Sequence, residues 1–420
     1  MAKFSFSYKF QEFKIRFQIW WGNLSRGPRV TAAVGVGILG FLVLGLTVFS
    51  AVSYFKWNSK KMALPWMSGG REQMPEVSPG AARTEASPIN GGLYTKEGAD
   101  VFASRRPLAI MVNNHVQARP QFGLSKADLI YEAVAEGGIT RLLAVFHAQD
   151  CEQVGPVRSA RVYYEDWAAE FNAWYAHWGG AYMDNNDKAN QENPDYAFTC
   201  NPAADAYAKI NRINLPSLDQ MWLGATAYWR DNSRGVATEH TGYTATEKLW
   251  NEAPRKYPGW EGLKTFDQWE FKEDSPTGDL QPAQALTGST ISFNFWETAG
   301  YAVLWEYDSA ANGYKRSQGG EPTVDAGVDN ARILAKNVIL QFVNESSFGD
   351  KKHHLNYETV GEGAAKVFLD GKVTDATWKK GSIYARTMFY DAEGGGIVFN
   401  RGQIWIEVIP TRNAGLVAIQ

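Results

Sequence analysis

From Val30 to Phe55 the chain runs without a charged residue and with almost nothing polar: VTAAVGVGILGFLVLGLTVFSAVSYF. As a helix, a run of this length rises about 39 Å, enough to cross a hydrocarbon core of roughly 30 Å with tilt to spare. Lipid offers the backbone no hydrogen bonds, so the pattern predicts a transmembrane helix over 30–55. Ahead of it, Phe6, Phe10, Phe13, Phe17 and Trp20 recur at spacings of three and four, one helical stripe. With Lys9, Lys14 and Arg16 beside that stripe, residues 1–29 read as a basic amphipathic segment lying against membrane lipid. The competing readings are an irregular basic tail and, for the apolar run, a signal peptide cleaved near Ala51-Val52-Ser53.

Beyond the apolar run the periodicity changes three times. Residues 56–105 mix Pro65, Pro75, Pro79 and Pro88 with paired glycines and polar residues, which predicts a flexible linker. Residues 106–250 alternate short apolar runs with helix-like stretches, a mixed α/β domain. Strands are expected at Leu108–Val112, Ile130–Ala135, Ile139–Ala148 and Ala173–Trp178, with helices near 160–171, 201–212 and 244–250. Glu136-Gly137-Gly138 reads as the turn of a hairpin. Residues 251–290, rich in Pro, Gly, Gln and charge, read as a second linker or long loop. Residues 291–420 read as nearly all β and mostly antiparallel, with Asp370-Gly371 and Asn312-Gly313 as hairpin turns. The expected class is α+β, with a transmembrane helix ahead of two folded regions.

Charge gives the chain an orientation. The 420 residues carry a net −3, yet residues 1–29 hold six Lys and Arg against Glu12 alone. A positive flank stays on the cytoplasmic side, so residues 56–420 are expected outside the cytoplasm, in a single-pass topology. A negative ectodomain argues against nucleic acid as a partner. Two cysteines, Cys151 and Cys200, exclude a disulfide-rich scaffold and the usual Cys-based metal sites. An oxidising compartment leaves a Cys151–Cys200 disulfide open. The Gly35-x-Gly37-x-x-Gly40 run sits inside the apolar helix with no strand before it, so it is no dinucleotide site. The 16 Trp suit either a large core or sugar-stacking surfaces, and core is the commoner use.

The polar residues that end strands or follow glycine turns cluster between Asn113 and Gly180. Gly155-Pro156-Val157-Arg158-Ser159-Ala160-Arg161 delivers two arginines to an expected helix start capped by Ser159. That pattern suits a phosphate or carboxylate. The bland reading pairs both arginines with internal acids such as Glu132 or Asp166. Glu132 and Glu136 form a possible carboxylate pair, but on a strand they stand about 13 Å apart, beyond the roughly 5–9.5 Å of glycosidase pairs. His115, His177 and His240 lack HxxxH or HxH spacing, so no metal or other cofactor is expected. His353-His354 reads as a surface pair.

The set ARPQ–GLS–AD, EGGITR, GPVRSAR and YAHWGG in residues 106–182 resembles the YerB-like lipoproteins of bacteria. LAKNVIL, VGEGAAKVFLDGKVTDATWKK and FNRGQIWIEVIP match more loosely. The resemblance implies a membrane-tethered envelope protein with an α/β N-terminal and a β-rich C-terminal domain, both of unknown function. It also implies a link to cell-wall synthesis, with peptidoglycan, another anionic wall polymer or penicillin-binding proteins as partners. Matching polar positions are Asn114, His115, Arg119, Gln121, Glu132, Glu136, Arg141, Arg158, Ser159, Arg161 and His177. This chain departs from the pattern in its spanning run, where relatives carry a lipid-modified cysteine, and in Asn113, where aspartate is common.

Two functions follow. The first is a non-catalytic envelope protein binding an anionic wall polymer or a wall-synthesis partner through Asn114, Arg119, Gln121, Glu136, Arg141, Arg158, Ser159 and Arg161. The second is a hydrolase or transferase acting on a wall glycan, with His115, Glu132 or His177 as acid–base groups. Convergence of these side chains in one cleft separates them.

Overall fold

The computed structural model describes residues 81–183, 200–260, 266–274, 287–296 and 298–420. The expected amphipathic segment and membrane span lie outside them. Among the described residues no helix is long and apolar enough to cross a membrane.

A ten-stranded mixed sheet organises the fold. Its strands are β1 (Leu108–Asn113), β2 (Leu129–Glu136), β3 (Ile139–Phe146), β4 (Trp174–His177) and β5 (Ser217–Asp219) from the first region. The second region supplies β9 (Asn337–Val343), β10 (Gly361–Leu369), β11 (Lys372–Lys380), β12 (Met388–Tyr390) and β13 (Ile404–Pro410). Their order across the sheet is β12-β11-β10-β9-β13-β2-β3-β1-β4-β5. A smaller antiparallel sheet is built on β6 (Thr290–Asn294), β7 (Ala302–Asp308) and β8 (Gly313–Gln318). The helices used below are α1 (Lys96–Ala103), α2 (Val162–Ala169), α3 (Ala206–Arg212) and α4 (Thr246–Lys256).

The two regions separated in the sequence at 251–290 therefore share one sheet, joined where β13 pairs in parallel with β2. Both strands are covered on both faces, which is why they read as near-continuous apolar runs. Alternation along β2 sends Tyr131 to one face, where it stacks on Trp167 of α2 with centroids 5.0 Å apart. It sends Glu132 to the other, against β8. On β13 the same alternation puts Trp405 and Glu407 on that second face, against Trp305 and Arg316 of the smaller sheet.

Several boundaries move. The helix expected at 160–171 is α2, with Arg161 rather than Ser159 at its cap and no side-chain cap bond. The expected linker 56–105 is folded at its described end. Thr95 caps α1 through the Gly98 N–H, and α1 buries Val101 and Phe102. Within 251–290, α4 continues to Lys256, and Glu270–Lys272 pairs with Val398–Asn400. The hairpin turns at Gly137-Gly138 and Asp370-Gly371 are present, each with two consecutive positive φ values. Trp167, Trp174, Trp250, Trp305 and Trp405 are fully buried, so these tryptophans build core.

Candidate functional site

β1, β2, β4, β5, β9 and β13 all run the same way, because β3 lies antiparallel between β1 and β2 while the other joins are parallel. Their carboxyl ends form one edge, carrying Asn113, Glu136, His177 and Asp219. In open sheets of this kind, ligand sites sit beyond the carboxyl ends of the strands. The sequence-predicted residues fall along this edge, but they divide into three groups with different fates.

The first group is interior. Glu132 accepts from Arg316 Nη2 (2.6 Å), Asn114 Nδ2 (2.9 Å), Thr140 Oγ1 (2.7 Å) and Gln318 Nε2 (3.1 Å). Gln121 Nε2 and Arg119 Nε donate to Asn114 Oδ1 at 2.6 and 3.1 Å, and Arg119 Nη1 reaches the Gly300 carbonyl at 2.9 Å. Asn114, Arg119, Gln121 and Glu132 thus bind the smaller sheet to the large one. Half-buried Arg119, with Gln121 and Gln318, also lines a cavity of about 370 Å³ at that seam. Glu407 lies beside Glu132 in register and shares the same guanidinium. Burial and the Glu132 charge push the Glu407 carboxyl up to about 8. Glu407 Oε2 has no hydrogen-bond partner among the described residues, which a neutral carboxyl tolerates better than an anion.

The second group is a clamp. Arg141 Nη2 and Arg161 Nη2 each reach Glu136 at 2.6 Å, and Arg141 Nη1 donates to the Ser159 carbonyl. The internal acid that holds Arg161 is therefore Glu136, not Glu132 or Asp166; Asp166 pairs with Lys209. Burial alone raises the Glu136 carboxyl, but the two guanidiniums outweigh it and bring it down to about 2. A depressed carboxylate stabilises the fold above its ordinary value near 4.5, and that stability is lost as pH falls toward 2. Glu136→Gln is expected to flatten the acid limb of stability between about 4.5 and 2, read from urea melts across that range. An unchanged acid limb would show that the clamp does not couple to folding. Ser159 Oγ donates to the Trp178 carbonyl at 3.2 Å. His177, also an acid–base candidate, is fully buried, with Nε2 against Ser217 Oγ and Nδ1 against the Gly179 carbonyl, both at 2.8 Å. Burial lowers its imidazole despite Asp219 at 3.7 Å.

The third group combines half-buried His115 and Arg158 with buried Asn113 and His240. Residues 154–158 run beside the end of β1: Asn113 N–H donates to the Pro156 carbonyl and Arg158 N–H to that of Met111. Gly155 permits this path at φ +145°, where a Cβ would meet Val157 N at 2.8 Å and the Gly242 carbonyl at 2.9 Å. Arg158 is thereby placed near His115 and His240, whose rings stack with centroids 4.4 Å apart and planes 8° from parallel. Asn113 Oδ1 accepts the His115 N–H, which turns its Nδ2 toward His240 Nδ1 at 2.8 Å. His240 Nδ1 is then an acceptor, and so is His115 Nδ1, which takes the Gln117 N–H. Both neutral imidazoles therefore carry their proton on Nε2. Burial lowers both, and Arg158 adds to the effect. Arg230 lies over the Trp178 ring at 4.2 Å and adds a second cation; exposed Glu239 is the acid of the patch. Arg158 itself is half-buried, and its guanidinium makes no hydrogen bond or ion pair among the described residues.

Sequence reasoning missed Arg316, Gln318 and Glu407 of the seam, and Arg230 of the patch. Cys151 and Cys200 are both free thiols, so the disulfide left open does not form. His353 is exposed, but His354 is buried against Asp350, so the two are not a surface pair.

Two family descriptions match in tandem: the N-terminal domain of a protein of unknown function, DUF3048, over residues 92–261, and its C-terminal domain over 291–406. A Bacillus subtilis protein named "Putative lipoprotein YerB" is 28% identical over 347 residues, covering 82% of this chain and 92% of the relative. The chain belongs to the YerB-like family. The crystal structure of YerB from Bacillus subtilis aligns with a TM-score of 0.64 at 25% identity, across 80% of this chain and 100% of that one. In this YerB-like fold the Arg316–Glu132 pair joins the N-terminal match to the C-terminal one.

Proposed function

We propose that this chain is a membrane-anchored, extracytoplasmic envelope protein that binds an anionic wall polymer at the carboxyl edge of its large sheet. The observation that carries this is Arg158. A half-buried guanidinium without a partner is costly, and a ligand phosphate or carboxylate supplies the missing charge and acceptors. Its neighbours Arg141 and Arg161 are already committed to Glu136, which narrows the expected ligand group to Arg158, the two imidazoles and Arg230. The lipoprotein name of the Bacillus subtilis relative supports a membrane-associated envelope setting. In that setting residues 1–55 are the anchor, and the wall polymer and penicillin-binding proteins are within reach as partners. A hydrolase or transferase draws less support, since Glu132 and His177 are interior and do not meet His115.

The test is calorimetric titration of the full-length chain with purified teichoic acid. Arg158→Ala is expected to weaken binding about tenfold or more while leaving the thermal midpoint in place, because the side chain makes no hydrogen bond or ion pair among the described residues. Wild-type affinity in that variant, or no binding by the wild type, would remove this site.

A further inference from the structure

Cys200, Asp350 and His354 offer a thiol sulfur, a carboxylate oxygen and an imidazole nitrogen that all lie within 4.8 Å of one another, and all three residues are buried. Cys200 comes from one part of the chain and Asp350 and His354 from another, and hydrogen bonds from Asn201 join the two. Asn201 N–H donates to Asp350 Oδ2 at 2.9 Å, and Asn201 Nδ2 donates to the Phe348 carbonyl at 2.9 Å. Within the 348–354 turn, Phe348 N–H donates to the His354 carbonyl, and Asp350 Oδ1 accepts the His354 N–H at 3.0 Å. His353 closes that turn at φ +55°. The three side chains are therefore positioned by the fold and not by one flexible loop.

We propose that Cys200, Asp350 and His354 form a zinc-type divalent metal site with three protein ligands and one open position. Calcium and magnesium call for all-oxygen shells of six or more ligands, which this trio does not supply. Sulfur, nitrogen and oxygen together suit zinc or cobalt in a tetrahedral shell. From bond lengths of about 2.3 Å to sulfur and about 2.0 Å to nitrogen, ligands of one such ion stand roughly 3.5 Å apart. The trio, with its ligand atoms all within 4.8 Å, stands close to that spacing. His354 Nδ1 and Asp350 Oδ2, now hydrogen-bonded at 2.7 Å, separate slightly on binding. Among the described residues Cys200 Sγ has only a 3.6 Å contact to the Asn201 carbonyl to give up. A divalent ion with one thiolate and one carboxylate is neutral overall, which a buried site favours. The site lies within electrostatic reach of the Glu136–Arg161 pair at the sheet edge, yet neither of those residues is needed as a ligand. It is independent of the Arg158 proposal.

The experiment strips the full-length chain with a chelator, then titrates zinc against a chromophoric competitor and, separately, adds cobalt. One equivalent of zinc is expected, and cobalt is expected to show a thiolate-to-metal charge-transfer band in the near ultraviolet. Cys200→Ala and His354→Ala should each weaken zinc at least about tenfold, with the cobalt band lost in Cys200→Ala. Cys151→Ala should change neither. Should Cys200→Ala misfold, the cobalt band of the wild type and its survival in Cys151→Ala decide the question. Absence of the band, zinc that stays with the competitor, or binding indifferent to Cys200 in a folded variant would overturn the proposal.

Discussion

Arg316→Ala is expected to destabilise the folded chain by about 3–5 kcal/mol, the range for removing one partner of a buried charge pair. The guanidinium is the only cation in ion-pair contact with Glu132 and Glu407 among the described residues, and both carboxyls are fully buried on adjacent strands in register. Without it Glu132 keeps only neutral donors, and it stands beside a second carboxyl. Equilibrium urea unfolding, followed by tryptophan fluorescence, checks the figure; a loss under about 1 kcal/mol would mean that the seam relaxes or admits water. Glu407→Gln should differ sharply. With its carboxyl pushed up to about 8, Glu407 is mostly protonated at neutral pH, and glutamine keeps an oxygen to accept the Trp305 Nε1–H bond of 2.9 Å. The pH signature follows with its sign. Between about 4.5 and 8 the folded chain holds a proton that the unfolded chain releases, so this contribution to stability falls as pH rises through that window. Glu407→Gln should remove that decline, and Arg316→Ala should regain stability toward acid pH.

These residues also show how far the sequence could be read. IWIEVIP and LIYEAVAE each place one acid inside an apolar strand, a visible sign of a buried charge, and β2 and β13 themselves follow from period and β-branched content. The partner was not visible. Arg316 sits in YKRSQ, where alternation gives Tyr314, Arg316 and Gln318 one face but cannot say that this face is buried. β11, KVTDATWKK, has too little apolar content to read as a strand; the turn at Asp370-Gly371 and its pairing with β10 hold it. At the candidate site, GPVRSAR was legible as a turn carrying arginines. Which arginine stays unpaired depends on Glu136 reaching Arg141 and Arg161, one across a hairpin and one across a loop. The register shift between Val134 and Glu136 sets that reach, and no periodicity announces such a bulge. His240 was named among the histidines, but its stacking on His115 joins positions that only the folded sheet brings together.

Lys380→Ala should cost about 3 kcal/mol or more, for a related reason at a second join between the two halves of the family fold. Lys380 and Glu170 are both buried and meet at 2.7 Å. Glu170 caps the end of α2 in the N-terminal half, and Lys380 ends β11 in the C-terminal half. Burial pushes the Glu170 carboxyl up, but Lys380 and then Arg386 outweigh it and hold it below its ordinary range. In the variant Glu170 keeps Tyr131 Oη at 2.6 Å, Thr387 Oγ1 at 2.8 Å and Arg386 at 4.0 Å, which sets the loss toward the lower end for a broken buried pair. The Ala385 carbonyl also loses its Lys380 donor. Lys380→Met combined with Glu170→Gln should recover only part of the loss: the glutamine oxygen still accepts from Thr387 when turned to that side, but buried Arg386 loses the Glu170 carboxylate. A double-mutant cycle should then return a coupling of about 1–3 kcal/mol. Because one sheet runs through both halves, every variant should still unfold in a single transition, with fluorescence and far-ultraviolet circular dichroism coincident. Two separated transitions, or a coupling near zero, would mean that the halves fold as independent bodies that merely touch along β2 and β13.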